Sequence, residues 1–91
     1  MNMSSAETAS FLEEFKSQNW PSDVDCIIAP PSTYIKQISD AESIISAAAQ
    51  NCHNQPSGAY TGEISVGMIQ DAGAQYCLVG HSERRQYFGY L

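Results

Sequence analysis

The fold is decided by residues 76–85, which read YCLVGHSERR. The first four are apolar and predict a short buried strand, and Gly80 permits a sharp turn out of it. We predict that Ser82 caps a short helix that runs through Phe88. His81 would then lie at the carboxyl end of a strand, where α/β proteins place binding and reaction sites. A histidine in a turn can also serve only to hydrogen-bond a loop.

Upstream of this stretch, the first helix is predicted over residues 5–18. Ser4 and Glu7 have the spacing of a capping box, in which the two side chains satisfy backbone N–H groups of the first turn. Apolar residues then recur at intervals of three and four, which is typical of an amphipathic helix. The residues predicted to face the core are Phe11, Leu12 and Phe15. Pro21 disfavours helical backbone at the residue before it and ends the segment.

Two strands and a short helix follow. Residues 24–29 are mostly apolar and predict a strand that ends at two prolines, and a short helix begins at Pro31 or Ser32 and runs through Ile38. Residues 44–49 are rich in alanine, which favours a helix by propensity. We predict a strand instead, because the run is short and small residues suit the inner wall of a barrel.

The segment from 51 to 62 is a long connection for a compact domain, and such loops tend to be functional or to make contacts. Ser65 is predicted to cap a helix that presents Val66, Met68 and Ile69 and ends near Gly73. Residues 75–79 are predicted to form the third strand.

The alternation of helices and strands predicts an α/β fold with a parallel sheet and right-handed crossovers. Three strands cannot close a barrel, so one sheet face is expected to stay open.

Length and charge exclude several classes of function. With 91 residues the chain fits one domain, and ten acidic against four basic residues give a net charge of −6. Nucleic-acid binding is therefore not expected, although backbone N–H groups can still hold a small phosphorylated metabolite. We predict no membrane association, since no apolar run approaches spanning length and no signal peptide is recognisable. His53 is interpreted as an ordinary loop residue.

The cysteine pattern bears on the cellular compartment. Cys26, Cys52 and Cys77 are an odd number without Cys-x-x-Cys spacing, and no histidine lies at metal-ligand spacing from them. They are interpreted as reduced thiols rather than as disulfide or zinc ligands. The expected location is the cytoplasm.

Several motifs, in order, resemble the triosephosphate isomerase family. They are Ala49-Gln50-Asn51, the stretch SGAYTGEIS at residues 57–65, and GHSERR at residues 80–85; Ala29-Pro30-Pro31-Ser32 and Asp71-Ala72-Gly73-Ala74 also fit. The resemblance extends from Met1 to about Gly89. The family is a (β/α)8 barrel of about 250 residues. The resemblance therefore implies a partial TIM barrel, with the second to fourth strands of the barrel and their helices.

The resemblance also implies roles for individual residues. His81 matches the catalytic electrophile of the family, which acts as a neutral imidazole at a helix N-terminus, with Ser82 and Glu83 in support. Glu83 has two readings, a supporting electrostatic or proton-relay group and a solvated carboxylate at the helix start. Thr61 matches the tip of a loop that inserts into a neighbouring subunit, although an ordinary glycine-rich surface loop is the alternative. The residues implied around that interface are Gln50, Asn51, Glu63 and Arg84.

The activity implied is the interconversion of dihydroxyacetone phosphate and glyceraldehyde 3-phosphate in glycolysis and gluconeogenesis, by a homodimer that uses no cofactor and no metal. By resemblance, the chain begins just after the substrate-binding lysine, ends after the fourth strand and lacks the general base. Truncation, a splice boundary or a frameshift would each explain these ends. Residues 1–91 are thus expected to form a single incomplete barrel domain that is inactive alone. The alternatives are a non-catalytic truncated product that retains the interface loop, and an unrelated small α/β binding domain.

Overall fold

The computed structural model describes residues 1–41 and 43–89. The order of elements is the predicted one, helix-strand-helix-strand-loop-helix-strand-helix. The helices are α1 (Ser5–Lys16), α2 (Ile35–Ser39), α3 (Val66–Asp71) and α4 (Ser82–Tyr87), and a 3-10 turn, Ser32–Tyr34, leads into α2. The strands are β1 (Cys26–Ile28), β2 (Ile45–Ala49) and β3 (Tyr76–Cys77).

In the described part of the chain, the strands form one parallel sheet with β2 in the centre. Cys26 of β1 pairs with Ile45, and Cys77 of β3 pairs with Ala49. This confirms the α/β class and the parallel sheet. The strand predicted within residues 44–49 is also confirmed, although alanine favours helices. Burial explains the outcome, since each of the last three alanines of β2 is at most 2% exposed. A preference of a few tenths of a kcal/mol per residue does not outweigh burial and hydrogen bonding on both sides of a central strand.

Two strands are shorter than predicted. β1 covers three residues of the predicted 24–29, and β3 covers two of the predicted 75–79. Single hydrogen bonds extend the β2–β3 pairing on either side, from the Gln75 N–H to the Ala47 carbonyl (2.9 Å) and from the Leu78 N–H to the Ala49 carbonyl (2.8 Å). In the described residues β3 has a partner strand on one side only.

The first helix is capped by Ser4 as predicted, with the serine hydroxyl accepting a hydrogen bond from the Glu7 N–H at 3.2 Å. It ends at Lys16 rather than at residue 18. The Trp20 indole N–H donates to the Phe15 carbonyl at 2.9 Å, and the two rings stack with centroids 4.6 Å apart. Trp20 thus donates a hydrogen bond to a carbonyl of the last helical turn, and its ring packs against that turn.

The core lies between the helices and one face of the sheet. Its buried members are Leu12, Ile35, Ile38, Ile45, Ala47, Ala49, Ile69 and Ala74. Phe11 and Phe15 pack against this cluster, so the predicted core face of α1 is correct. Ser65 caps α3 as predicted and Ile69 is buried, but Val66 and Met68 on the same helix are exposed.

The opposite sheet face is open at the edge strands β1 and β3, whereas Ala48 on the central strand is 2% exposed. Side chains alternate along a strand, so Cys26 and Ile28 contact the core while Ile27 points away and is 45% exposed. Tyr76 of β3 is likewise 48% exposed, whereas its neighbour Cys77 packs on the core side. The helices therefore cover one side of the sheet and leave an apolar surface on the other.

None of the helices in the described ranges is long and apolar enough to cross a membrane.

Candidate active site

The candidate site begins where β3 gives way to α4. Gly80 makes the turn with a φ of +70°, a left-handed conformation that glycine adopts without steric cost. His81 follows with extended backbone, and its carbonyl accepts hydrogen bonds from the N–H groups of Arg84 and Arg85. His81 is therefore the residue that caps the helix. The prediction that Ser82 is the cap is wrong: Ser82 is already the first helical residue, so it is one position too late.

The imidazole of His81 is held by its own helix. Nδ1 accepts a hydrogen bond from the Glu83 N–H at 3.1 Å. In this hydrogen bond Nδ1 is the acceptor, and a neutral ring with that acceptor has its proton on Nε2. About half of the His81 side chain is exposed. The geometry thus places the His81 imidazole, held through Nδ1, at the carboxyl edge of the sheet.

The two residues after His81 are both exposed. The Glu83 carboxylate lies 3.8 Å from Nδ1 of His81 at its nearest oxygen, and its side chain is 76% exposed. In its position in the first turn of α4, the carboxylate is favoured by the partial positive charge of the helix end. Ser82 is also exposed. The carboxylate of Glu83 can therefore reach the His81 ring, but it lies in solvent rather than buried.

An open cavity of about 390 Å³ lies in front of this helix end. It is lined by His81, Glu83 and residues from the ends of all three strands and from both chain ends: Met1, Ala29, Gln50, Asn51, Leu78, Arg84 and Phe88. Gln50 joins two of the strand ends, because its side-chain amide donates to the Ala29 carbonyl at 2.8 Å. The guanidinium of Arg84 lies 4.5 Å from the Phe88 ring centroid, within cation–π range. The cavity is large enough for a small metabolite and is polar on the side of α4.

A second cavity of about 230 Å³ adjoins the first and brings together four of the five residues predicted at an interface. These four are Gln50, Asn51, Glu63 and Arg84, and the remaining lining residues are Ser32, Cys52, Gly62 and Ile64. Thr61, the fifth, does not line this cavity. It is exposed in a turn that the Glu63 N–H closes onto the Tyr60 carbonyl at 2.9 Å, with Gly62 at a φ of +92°. The loop tip therefore projects beside the cavity.

His53 organises the loop that carries Thr61, so it is more than the ordinary loop residue expected from the sequence. Its ring packs on Tyr60 with centroids 4.3 Å apart, and its Nδ1 lies 3.6 Å from a Glu63 carboxylate oxygen. Its backbone N–H donates to the Ile64 carbonyl at 2.8 Å, and it forms a parallel bridge with Ser65. Backbone pairing of His53 with Ile64 and Ser65 thus joins the two ends of the loop, and the packed rings of His53 and Tyr60 occupy its interior. No spacing rule of short range connects these residues, so the sequence offered no signal for the cluster.

Two of the three cysteines lie near the ends of the central and third strands. Cys52 follows β2, Cys77 lies in β3, and both pack against the core. Burial raises the pKa of the Cys77 thiol to about 11, with smaller contributions from a hydrogen bond to Cys52 and from the charge of Cys52. Among the described residues, no group of three or more histidine, cysteine, aspartate or glutamate side chains has a geometry that could hold a metal ion.

A parallel sheet with helices on one face, and a histidine at the carboxyl end of a strand, is the arrangement of α/β proteins that bind ligands at this edge, a class that includes the α/β barrels. The sequence profile described as triosephosphate isomerase matches residues 1–90. The chain belongs to the triosephosphate isomerase family.

Individual relatives agree with this assignment. The chain is 43% identical over 90 residues to "Triosephosphate isomerase" of Alkaliphilus metalliredigens (strain QYMF), a match that covers 97% of this chain and 36% of that protein. It is 44% identical over 78 residues to the protein of the same name from Ruegeria sp. (strain TM1040), which covers 86% of this chain and 32% of the relative. A third match, from Alkaliphilus oremlandii (strain OhILAs), is 39% identical over 90 residues, with 97% and 36% covered. The chain thus spans about a third of the length of these relatives.

Proposed function

We propose that residues 1–91 supply one part of the active site of a triosephosphate isomerase, in which His81 is the electrophile. The substrate proposed is a phosphorylated triose, interconverted between dihydroxyacetone phosphate and glyceraldehyde 3-phosphate without a cofactor. The single observation that carries the proposal is the hydrogen bond from the Glu83 N–H to His81 Nδ1, because it leaves Nε2–H free to donate. The proposed location is the cytoplasm, and the proposed domain is one incomplete barrel.

In the proposed mechanism, a base outside these 91 residues removes a proton from the carbon next to the substrate carbonyl. Negative charge then develops on the carbonyl oxygen, and the His81 Nε2–H stabilises it by a hydrogen bond. The hydrogen bond at Nδ1 fixes the His81 ring before the reaction. The ring can therefore stabilise the developing charge without having to reorient. A neutral imidazole suits this role, because its acidity is closer to that of the enediol than the acidity of an imidazolium is.

Glu83 and Ser82 are proposed as supporting residues. The Glu83 carboxylate lies within 3.8 Å of the His81 ring, so its negative charge acts on the same cavity. Ser82 contributes as the first residue of the helix that fixes the orientation of the imidazole.

The test of this proposal is a graft. Residues 1–90 replace the matching segment of the Alkaliphilus metalliredigens relative, so that the rest of the barrel comes from that protein. We expect the graft to catalyse triose phosphate isomerisation, whereas a chain of these 91 residues alone gives no turnover above buffer, since an electrophile without a base cannot remove a proton. A graft with the far-UV circular dichroism of its parent but without activity would contradict the proposed function.

The second part of the proposal is that the 51–62 loop forms a homodimer interface, with Thr61 at its tip and Gln50, Asn51, Glu63 and Arg84 around it. Two observations support it. The tip is exposed beside an open cavity that four of these residues line, and the loop holds a fixed shape through His53. A preshaped, exposed loop can enter a partner subunit across a two-fold axis at little cost in ordering.

Replacing residues 60–62 of the graft by a Gly-Ser turn should therefore produce monomers in sedimentation velocity. The replacement removes the Tyr60 ring, the Thr61 tip and the turn that presents them. The same replacement at residues 17–19, which are exposed after α1, serves as the control and should leave the dimer intact. A tight dimer in the loop variant would exclude this interface.

A further inference from the structure

The 51–62 loop holds two of its own aromatic side chains together. The ring of His53 packs on the ring of Tyr60 with centroids 4.3 Å apart and an angle of 43° between the planes. Gly58 also approaches the tyrosine closely, since a Cβ built at this glycine would lie 2.8 Å from Tyr60 Cε2. Tyr60 directly precedes Thr61, the residue at the loop tip. The position of the tip therefore depends on how the Tyr60 ring is held.

His53 is anchored by its backbone next to the start of α3. Its N–H donates to the Ile64 carbonyl at 2.8 Å, and it pairs with Ser65, the residue that caps α3. The His53 side chain is 24% exposed, whereas Tyr60 is 45% exposed. The imidazole is thus a buried support on which a more exposed ring rests.

The His53 ring is held by packing more than by polar contacts. Its Nδ1 lies 3.6 Å from a Glu63 carboxylate oxygen, which is longer than the usual hydrogen bond. The Glu63 side chain is 39% exposed, so water competes for this contact. The Nε2 atom is buried and has no hydrogen-bond partner among the described residues. The flat face of the ring is therefore the part that supports Tyr60.

We propose that His53 is a positioning residue for subunit assembly, which acts by holding the Tyr60 ring and with it the Thr61 tip. The partner is a second copy of this chain, so the inference rests on the interface proposed above. A loop that already has its bound shape loses less conformational entropy when a second subunit binds. The affinity between subunits is then set inside the loop as well as by contacts of the tip.

Phenylalanine at position 53 should serve this purpose as well as histidine or better. It keeps an aromatic ring against Tyr60, and it removes a buried nitrogen that has no partner in the described part of the chain. It also removes the contact with Glu63, so it separates ring packing from charge. Alanine removes the ring and the charge together.

The test uses the grafted barrel, with the far-UV circular dichroism of each variant matched to that of the graft. The dimer dissociation constant is measured by sedimentation equilibrium. We expect His53→Ala to raise it at least about tenfold, because a dimer contains two such loops and each loses an aromatic pair. His53→Phe should dimerise as tightly as the graft or more tightly. The control Asn54→Ala, exposed on the same loop, should stay within about threefold of the graft.

Two further measurements separate positioning from a general loss of structure. Amide hydrogen exchange in residues 54–62 should be faster in H53A and unchanged in H53F, while exchange in α1 stays the same in both. In a Y60A background, H53A should cause no further weakening of the dimer, because the ring through which His53 acts is absent.

An H53A variant that dimerises as tightly as the graft would overturn the proposal, and so would an H53F variant as weak as H53A. The interface itself is tested by the replacement of residues 60–62. If that replacement leaves the dimer intact, the interface proposal fails. If it produces monomers while H53A does not, only the role of His53 fails.

Discussion

Replacing His81 with asparagine in the grafted barrel is expected to lower kcat by about 100- to 1000-fold, the typical loss when one preorganised oxyanion donor is removed. His81 does two things at once, since its Nδ1 caps α4 while its Nε2–H is free. Asparagine is among the best helix caps, so it can keep the helix start. Its shorter side chain, turned toward the backbone, presents no donor where the imidazole Nε2–H stands.

Two further variants separate catalysis from folding. His81→Ala removes both cap and donor, so it should lose the same activity and also about 1 kcal/mol of stability. Gln70→Ala, on the exposed side of α3, should leave kcat and stability near those of the graft. Steady-state kinetics and thermal unfolding of all three supply the measurements. If H81N turned over within about tenfold of the graft, His81 would not be the electrophile.

The isolated 91-residue chain is expected to associate and to unfold without a single cooperative transition. The open sheet face exposes Ile27 and Tyr76, and the adjoining strand ends expose Ile44, Leu78 and Val79, which is 81% exposed. Apolar surface and unpaired strand edges of this kind recruit other chains or leave packing fluid. Few charges oppose association, since only 15% of residues are charged.

The measurement is a urea titration of a size-selected monomer, followed by far-UV circular dichroism and by Trp20 fluorescence. We expect the helical signal to persist beyond the loss of the Phe15–Trp20 stacking environment. Ile27→Lys, on the open face, should reduce dye binding and association, whereas Gln18→Lys makes the same charge change on the exposed segment after α1 and should not. One sharp transition shared by both probes would show that the chain folds by itself.

The order of elements and the parallel sheet could be predicted from the sequence because each depends on a local pattern. The alanine-rich run of β2 favours a helix by propensity, but a run of this length is too short for most helices. Its short length therefore predicts the strand that is observed. The ends of β1 and β3 were overestimated, because pairing depends on how far the partner backbone stays aligned. Apolar content does not encode that distance.

The candidate site was predicted less completely. The sequence favours Ser82 as the cap, because serine is a common capping residue. In the structure the helix already includes Ser82, and His81 caps it through Nδ1. The cluster around His53 joins residues 7 to 12 positions apart within one irregular loop, a spacing that follows no helical or strand period. Such contacts arise from the path of the backbone through the sheet and the loop, and no local pattern of residue types announces them.

The closed base of the 51–62 loop has a consequence for the order of folding. His53 meets its partners Tyr60, Glu63 and Ser65 at separations of 7, 10 and 12 residues. Loops of about ten residues close within about 10–100 ns, whereas parallel pairing must wait for a crossover to be made. On a ribosome, the loop would therefore take its shape as soon as Ser65 emerged, before β3 had left the exit tunnel. The surface proposed to meet a second subunit would then be among the first parts of the chain to be ready.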